Sequence, residues 1–111
     1  MTTPSDNVTR GARDNMRKVA PKLVQLSEEV LYGDVWERPL LSKRERSLIT
    51  IASLISLYRF GQLPGHFQRG LDNGLTKEEI GEVITHLAFY AGWPCSAQAV
   101  SIASEVFDNS E

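Results

Sequence analysis

Two histidines, one cysteine and a knot of basic residues carry most of the chemistry open to this chain of 111 residues. His66 follows Gly61, Pro64 and Gly65 at the opening of a helical stretch. An imidazole there is a natural general acid or base near neutral pH, although a lone histidine is more often a hydrogen-bonded structural residue. Lys43, Arg44 and Arg46 crowd the first turn of another helix, where the helix dipole favours carboxylates over cations. Either Glu45, Glu37 and Asp34 pair with them, or one or two of the arginines face a pocket and hold a ligand carboxylate. Glu37 stands beside Trp36, one short loop before these arginines. It is both a surface charge and an acid/base candidate. Glu82, His86, Phe89, Tyr90 and Trp93 recur at helical spacing, either as core or subunit-interface residues or as the lining of a pocket for a flat, unsaturated ligand. Cys95 stands alone, so an intrachain disulfide and a dithiol redox centre are both excluded. Two separated histidines and one cysteine form no zinc pattern, and no metal is expected.

These side chains need a frame, and the frame is organised around Ser42 to Gly74. From Leu48 to Tyr58 the apolar residues wrap nearly the whole circumference of a helix, which predicts cover on every side. The run is too short and too rich in hydroxyls to span a bilayer. Ser42 with Glu45 forms a capping box at its start, and Thr76 with Glu79 forms another before a helix expected over Lys77 to Trp93. Gly61 and Pro64 end the central helix, and the next runs from Pro64 to Asn73. Pro94 opens a last helix bearing Ala97, Val100, Ala103, Val106 and Phe107. Upstream, a polar arm covers residues 1–9, a short helix Thr9 to Ala20, and a helix from Pro21 to near Gly33. Gly33 to Ser42 is a loop in which Trp36 is packing material first. No strand-like alternation appears. The expectation is an all-α, single-domain bundle of about six helices over residues 1–111.

Composition narrows the function. A net charge of −2 without a basic patch argues against nucleic acid. The start MTTPSDNVTR has no apolar segment behind it, so cytoplasmic residence is expected, with no membrane partner. A domain this small buries only about two-thirds of its unfolded surface. One helix apolar all round and two more with wide apolar faces exceed what the chain covers by itself, which predicts self-association.

The blocks GDVWERPLLSKRERSLITIASLISL, GHFQRGLDNGLT and EEIGEVITHLAFYAGWP, in this order, resemble the carboxymuconolactone decarboxylase family over roughly residues 20 to 107. The resemblance implies the all-helical fold shared with alkylhydroperoxidase D, assembled as a homotrimer or homohexamer. That family holds two chemistries. In the hydroperoxidase branch the central helix carries a glutamate, a Cys-x-x-Cys and a histidine. On this chain the histidine falls on His66, but the cysteines fall on Arg59 and Gln62 and the glutamate on Ser47. A thiol relay needs an attacking and a resolving sulfur, so a thiol peroxidase is the disfavoured alternative. A non-catalytic oligomer that binds a ligand is the other.

The decarboxylase branch removes carbon dioxide from 4-carboxymuconolactone in the protocatechuate pathway of aromatic compound catabolism, with no cofactor or metal. The resemblance therefore implies a carboxy-lyase acting on a small carboxylated lactone or organic acid. Donors must stabilise the charge that grows on the lactone oxygen, and an acid must protonate carbon. Placed by motif position, His66 is the acid/base, Arg46 or Arg44 the carboxylate or oxyanion anchor, and Glu37 the residue tuning them. Arg44, Trp36, His86, Tyr90 and Trp93 are the substrate-binding candidates. Decarboxylases of the family tend to read W-T-R-P where this chain has Trp36-Glu37-Arg38-Pro39, and to carry glutamine in place of His86. A related acid or lactone is thus an alternative substrate.

Overall fold

The structure, a computed structural model, describes residues 14–110. The polar arm expected over residues 1–9 and the start of the helix expected from Thr9 lie outside them. The described residues contain six helices and no strand: α1 (14–19), α2 (Pro21–Leu26), α3 (Lys43–Ser56), α4 (Leu63–Asp72), α5 (Lys77–Leu87) and α6 (Trp93–Asn109). Helix α2 runs on as a π-helical turn, Ser27–Tyr32, and a 3₁₀ turn at Val35–Glu37 bridges towards α3.

Local chemistry sets the helix starts. Ser42 Oγ accepts from the Glu45 amide at 3.0 Å while Glu45 accepts from the Ser42 amide at 2.8 Å. Thr76 and Glu79 repeat the arrangement at 3.0 and 2.9 Å. Each box satisfies two donors that a helix leaves unpaired, worth about 1 kcal/mol. Helices α4 and α6 instead carry proline in the first turn, where its missing N–H costs nothing.

Helix α3 lies against α4, α5 and α6, and α6 also packs on α4 and α5. Between them Ile51, Ile55, Leu63, Phe67, Leu75, Ile80, Ile84, Cys95, Ala99, Ala103 and Val106 form one core. Burying each large side chain there contributes about 1.5–3 kcal/mol. Gly70 lets α4 approach α3 closely: a Cβ on it would stand 3.0 Å from Leu75 Cδ1 and 3.1 Å from Ile51 Cδ1.

One expectation is matched and one needs correction. Helix α3 is not covered all round by its own chain, as its surplus of apolar surface implied: Ile51 and Ile55 are fully buried, but Ile49 and Leu57 are more than half exposed. The apolar circumference is real, and one protomer supplies only part of its cover. The helix expected to run to Trp93 stops at Leu87. Residues 88–91 form turns, and Gly92, with a φ of 110°, leads into Trp93-Pro94 at the start of α6. The expected stripe from Glu82 to Trp93 is therefore split between two helices and a turn.

Candidate functional site

The site is built on one face of α4. His66, Arg69 and Asn73 follow at steps of three and four, so they share a stripe. Asn73 Nδ2 donates to Ser47 Oγ at 3.0 Å, which ties this stripe to the first turns of α3. Trp36, buried on the 3₁₀ turn, covers the stripe from outside. Its ring lies 6.4 Å from the His66 ring, and Tyr32 stacks behind it at 5.5 Å. The Arg69 guanidinium sits over the Tyr32 ring at 4.3 Å and over Trp36 at 5.9 Å.

Gly33 makes this wall possible. A Cβ on it would come within 2.7 Å of the carbonyl oxygens of Glu28 and Glu29, both rigid backbone. Only glycine allows the chain to close the π-helical turn here and pass directly from Tyr32 to Trp36.

Electrostatics at the stripe are one-sided. Burial, then the neighbouring Arg69 charge, lowers the His66 pKa from 6.5 to about 4, so its ring is neutral at pH 7. The Nδ1 of His66, the Nε of Arg69 and the Nε of Arg46 are buried with no hydrogen-bond partner. Among the described residues no other buried side-chain nitrogen or oxygen is left in that condition. Arg46 Nη2 donates to the Arg38 carbonyl at 3.2 Å, which holds the side chain beside the Trp36 loop. Glu37 is exposed and pairs with Lys43 at 2.7 Å, so its charge is answered.

The other candidates gather elsewhere. Arg44 pairs with Glu79 across α3 and α5, a partner outside the three anticipated carboxylates. Glu79 belongs to a largely apolar groove of about 500 Å³ between these helices, lined also by Leu48, Ile49, Val83 and His86. His86 stacks on Tyr90 at 4.7 Å, and Trp93 meets Phe89 edge-on at 5.9 Å. Phe89, Tyr90 and Trp93 are all strongly exposed. The structure thus brings Trp36 and His66 together, with Glu37 on the same 3₁₀ turn and Arg46 bonded to the Arg38 carbonyl just beyond it, and assigns Arg44 and His86 to the α3–α5 groove, with Tyr90 stacked on His86.

Tyr32 and Arg69 were missed by reading the sequence. The signal for Arg69 was the His-x-x-Arg spacing on a helix, and for Tyr32 its place four residues before Trp36. Cys95 lies in the core, where its Sγ donates to the carbonyls of Gly92 and Ala91 at 3.1 and 3.4 Å. It is placed as a structural thiol. Among the described residues no three His, Cys, Asp or Glu side chains gather as a metal site would need. No described helix is long and apolar enough to cross a membrane.

Comparison with known proteins places the chain in a family. The chain is 46% identical over 76 residues to a 4-carboxymuconolactone decarboxylase of Acinetobacter baylyi, covering 68% of this chain and 57% of that protein. It is 32% identical over 85 residues to a nitrosuccinic acid decarboxylase of Metarhizium robertsii, covering 77% and 59%. A 15.0 kDa protein of Paracoccus denitrificans, of uncharacterised function, is 29% identical over 94 residues, 83% of this chain and 70% of that one. The matched stretches thus span under three-fifths of the two named decarboxylases. The carboxymuconolactone decarboxylase family model matches residues 21–105, which takes in the Trp36 loop, the whole of α3 to α5 and most of α6. With the histidine helix, its aromatic wall and the capped central helix all inside that match, the chain belongs to the carboxymuconolactone decarboxylase family.

Proposed function

We propose that this chain is a cofactor-independent carboxy-lyase for a small unsaturated acid, 4-carboxymuconolactone or a close relative. The observation that carries the reading is the His66 ring, neutral and half-buried beside Trp36 and Arg69, with its Nδ1 left unpartnered. A structural histidine normally has both ring nitrogens satisfied or in water. This one is held ready for a partner that the protein does not supply.

The chemistry follows from that state. The bond between the lactone carbon and the departing carboxylate breaks, and its electron pair passes into the conjugated carbonyl. Carbon dioxide leaves, and a proton must then reach carbon. A bound carboxylate brings a negative charge that opposes the Arg69 field and favours a proton on His66. The imidazolium so formed delivers that proton to carbon and returns to its neutral state. Arg46 offers N–H donors to the developing oxyanion, where one such donor is worth roughly 10²–10³ in rate. Glu37 acts at the edge of the site through Lys43 and the Trp36 loop.

Assembly as a homotrimer or homohexamer belongs to the same reading. The exposed apolar residues of α3 and of the segment 89–93 support it, because they are the cover one chain leaves undone.

The test is carbon dioxide release from purified protein incubated with 4-carboxymuconolactone. Release above the spontaneous rate is expected, falling about 10²–10⁴-fold in His66→Ala. No release from folded wild-type protein refutes the substrate assignment.

A further inference from the structure

We infer that Arg69 is the carboxylate anchor of this site, binding the substrate anion through a guanidinium held over the Tyr32 ring and near Trp36. The assignment rests on the small-acid reading above, in which Arg69 acts only as a charge beside His66. Arginines at the start of α3 were the natural anchors by sequence. The structure treats them differently: Arg44 has Glu79, and Arg46 has the Arg38 carbonyl. The Arg69 Nε is buried without a hydrogen-bond partner, and none of the ion pairs among the described residues includes Arg69.

A half-buried cation without an anion is an unusual thing for a small protein to keep. Burial of a charge costs several kcal/mol unless it is paired or coordinated. Two aromatic rings, 4.3 and 5.9 Å from its Cζ, return part of that cost. Contact with ring faces uses none of the N–H donors, and the Nε donor is left without a partner for a carboxylate to meet. Arg69 also lies one helical turn from His66 on the same face of α4. An anion seated on Arg69 therefore sits within reach of the ring that must exchange a proton. The ligand this geometry takes is a compact, planar carboxylate, with the rest of the molecule against Trp36.

The experiment is calorimetric titration of adipate, a small dicarboxylate, and of its uncharged dimethyl ester into the full chain. Wild type, Arg69→Gln, Arg69→Lys and Arg46→Gln are compared, with far-ultraviolet circular dichroism as the check on folding. Wild type is expected to bind adipate and to ignore the ester. Arg69→Gln should weaken adipate at least tenfold. Arg69→Lys, which keeps the charge but not the flat fork, should weaken it about threefold to tenfold, and Arg46→Gln less than threefold. Adipate binding that survives in folded Arg69→Gln overturns the proposal, as does a wild type that binds ester and adipate alike or binds neither. Should Arg69→Gln fail to fold, undiminished binding by Arg69→Lys overturns it instead. Adipate binding that depends on Arg69, in a protein that releases no carbon dioxide from 4-carboxymuconolactone, leaves the anchor standing while the decarboxylase reading falls.

Discussion

Acidification from pH 7 to pH 5 should destabilise this protein through His66. Its pKa is about 4 in the folded chain, lowered first by burial and then by Arg69, against 6.5 for a free side chain. Between those values the unfolded chain binds a proton that the folded chain refuses, so stability rises with pH across the window. The contribution is fully present above pH 6.5 and is lost as pH falls towards 4. The whole shift corresponds to about 3 kcal/mol, of which about 2 kcal/mol falls between pH 7 and pH 5. The other resolved shifts act lower down. Glu45 is held below its usual value first by the backbone N–H of Ser42, and Glu79 first by that of Thr76 and then by Arg44. Both contributions are complete above the ordinary carboxylate range and fail only beneath it. Urea unfolding at pH 5, 6 and 7, at one protein concentration, measures the slope. His66→Asn should remove most of it. Equal stability of wild type at pH 5 and 7, or an equal loss in His66→Asn, would refute the reasoning.

Two further substitutions probe the frame of the site. Asn73→Ala strands the Ser47 hydroxyl, which is 1% exposed, and should cost about 1–3 kcal/mol in denaturant unfolding; Ser47→Ala added to it should restore part of the loss, since the two share one hydrogen bond. Gly33→Ala drives a methyl into the Glu28 and Glu29 carbonyls and should cost about 1–3 kcal/mol while blue-shifting or red-shifting Trp36 fluorescence; unchanged melting and emission would show that the turn relaxes freely.

Helix starts were legible because their causes are local. Ser42 with Glu45 and Thr76 with Glu79 each close a hydrogen-bonded loop of four residues, and proline marks the first turns of α4 and α6. The end of α5 was legible only in part: apolar spacing continues through Ala88 and Ala91, yet Gly92 adopts a left-handed φ that spacing cannot express. Burial around α3 was legible as a demand that one chain does not meet, and Ile49 and Leu57 are left more than half exposed; periodicity shows which faces are apolar but not what covers them. The candidate site divided along the same line. His66 and Trp36 stood out by type and context. The pairing of Arg44 with Glu79, 35 residues away, depends on how α3 and α5 lie together. The stacking of Arg69 on Tyr32 and Trp36 depends on a π-helical turn that no local rule announced.

How the chain treats its other buried polar groups separates a site from a packing defect. Ser96 Oγ donates to the Ile84 carbonyl at 2.8 Å, joining α6 to α5. Ser47 accepts from Asn73, Gln68 donates to Asp72 at 3.3 Å, and the Cys95 thiol finds two carbonyls. Core polar atoms across α3 to α6 are thus satisfied one by one. Against that background the three unpartnered nitrogens belong to Arg46, His66 and Arg69. Each costs about 1–3 kcal/mol when left unmade, a sizeable fraction of the stability a small domain commands. Two of the three lie a helical turn apart under one aromatic wall, and all three bear side chains suited to an anion and its proton. Random imperfection would scatter such atoms over the core. His66 and Arg69 share the Trp36 face of α4, and Arg46 reaches the Arg38 carbonyl just beyond the Trp36 turn, which is the observation behind the proposal that a small carboxylate binds here.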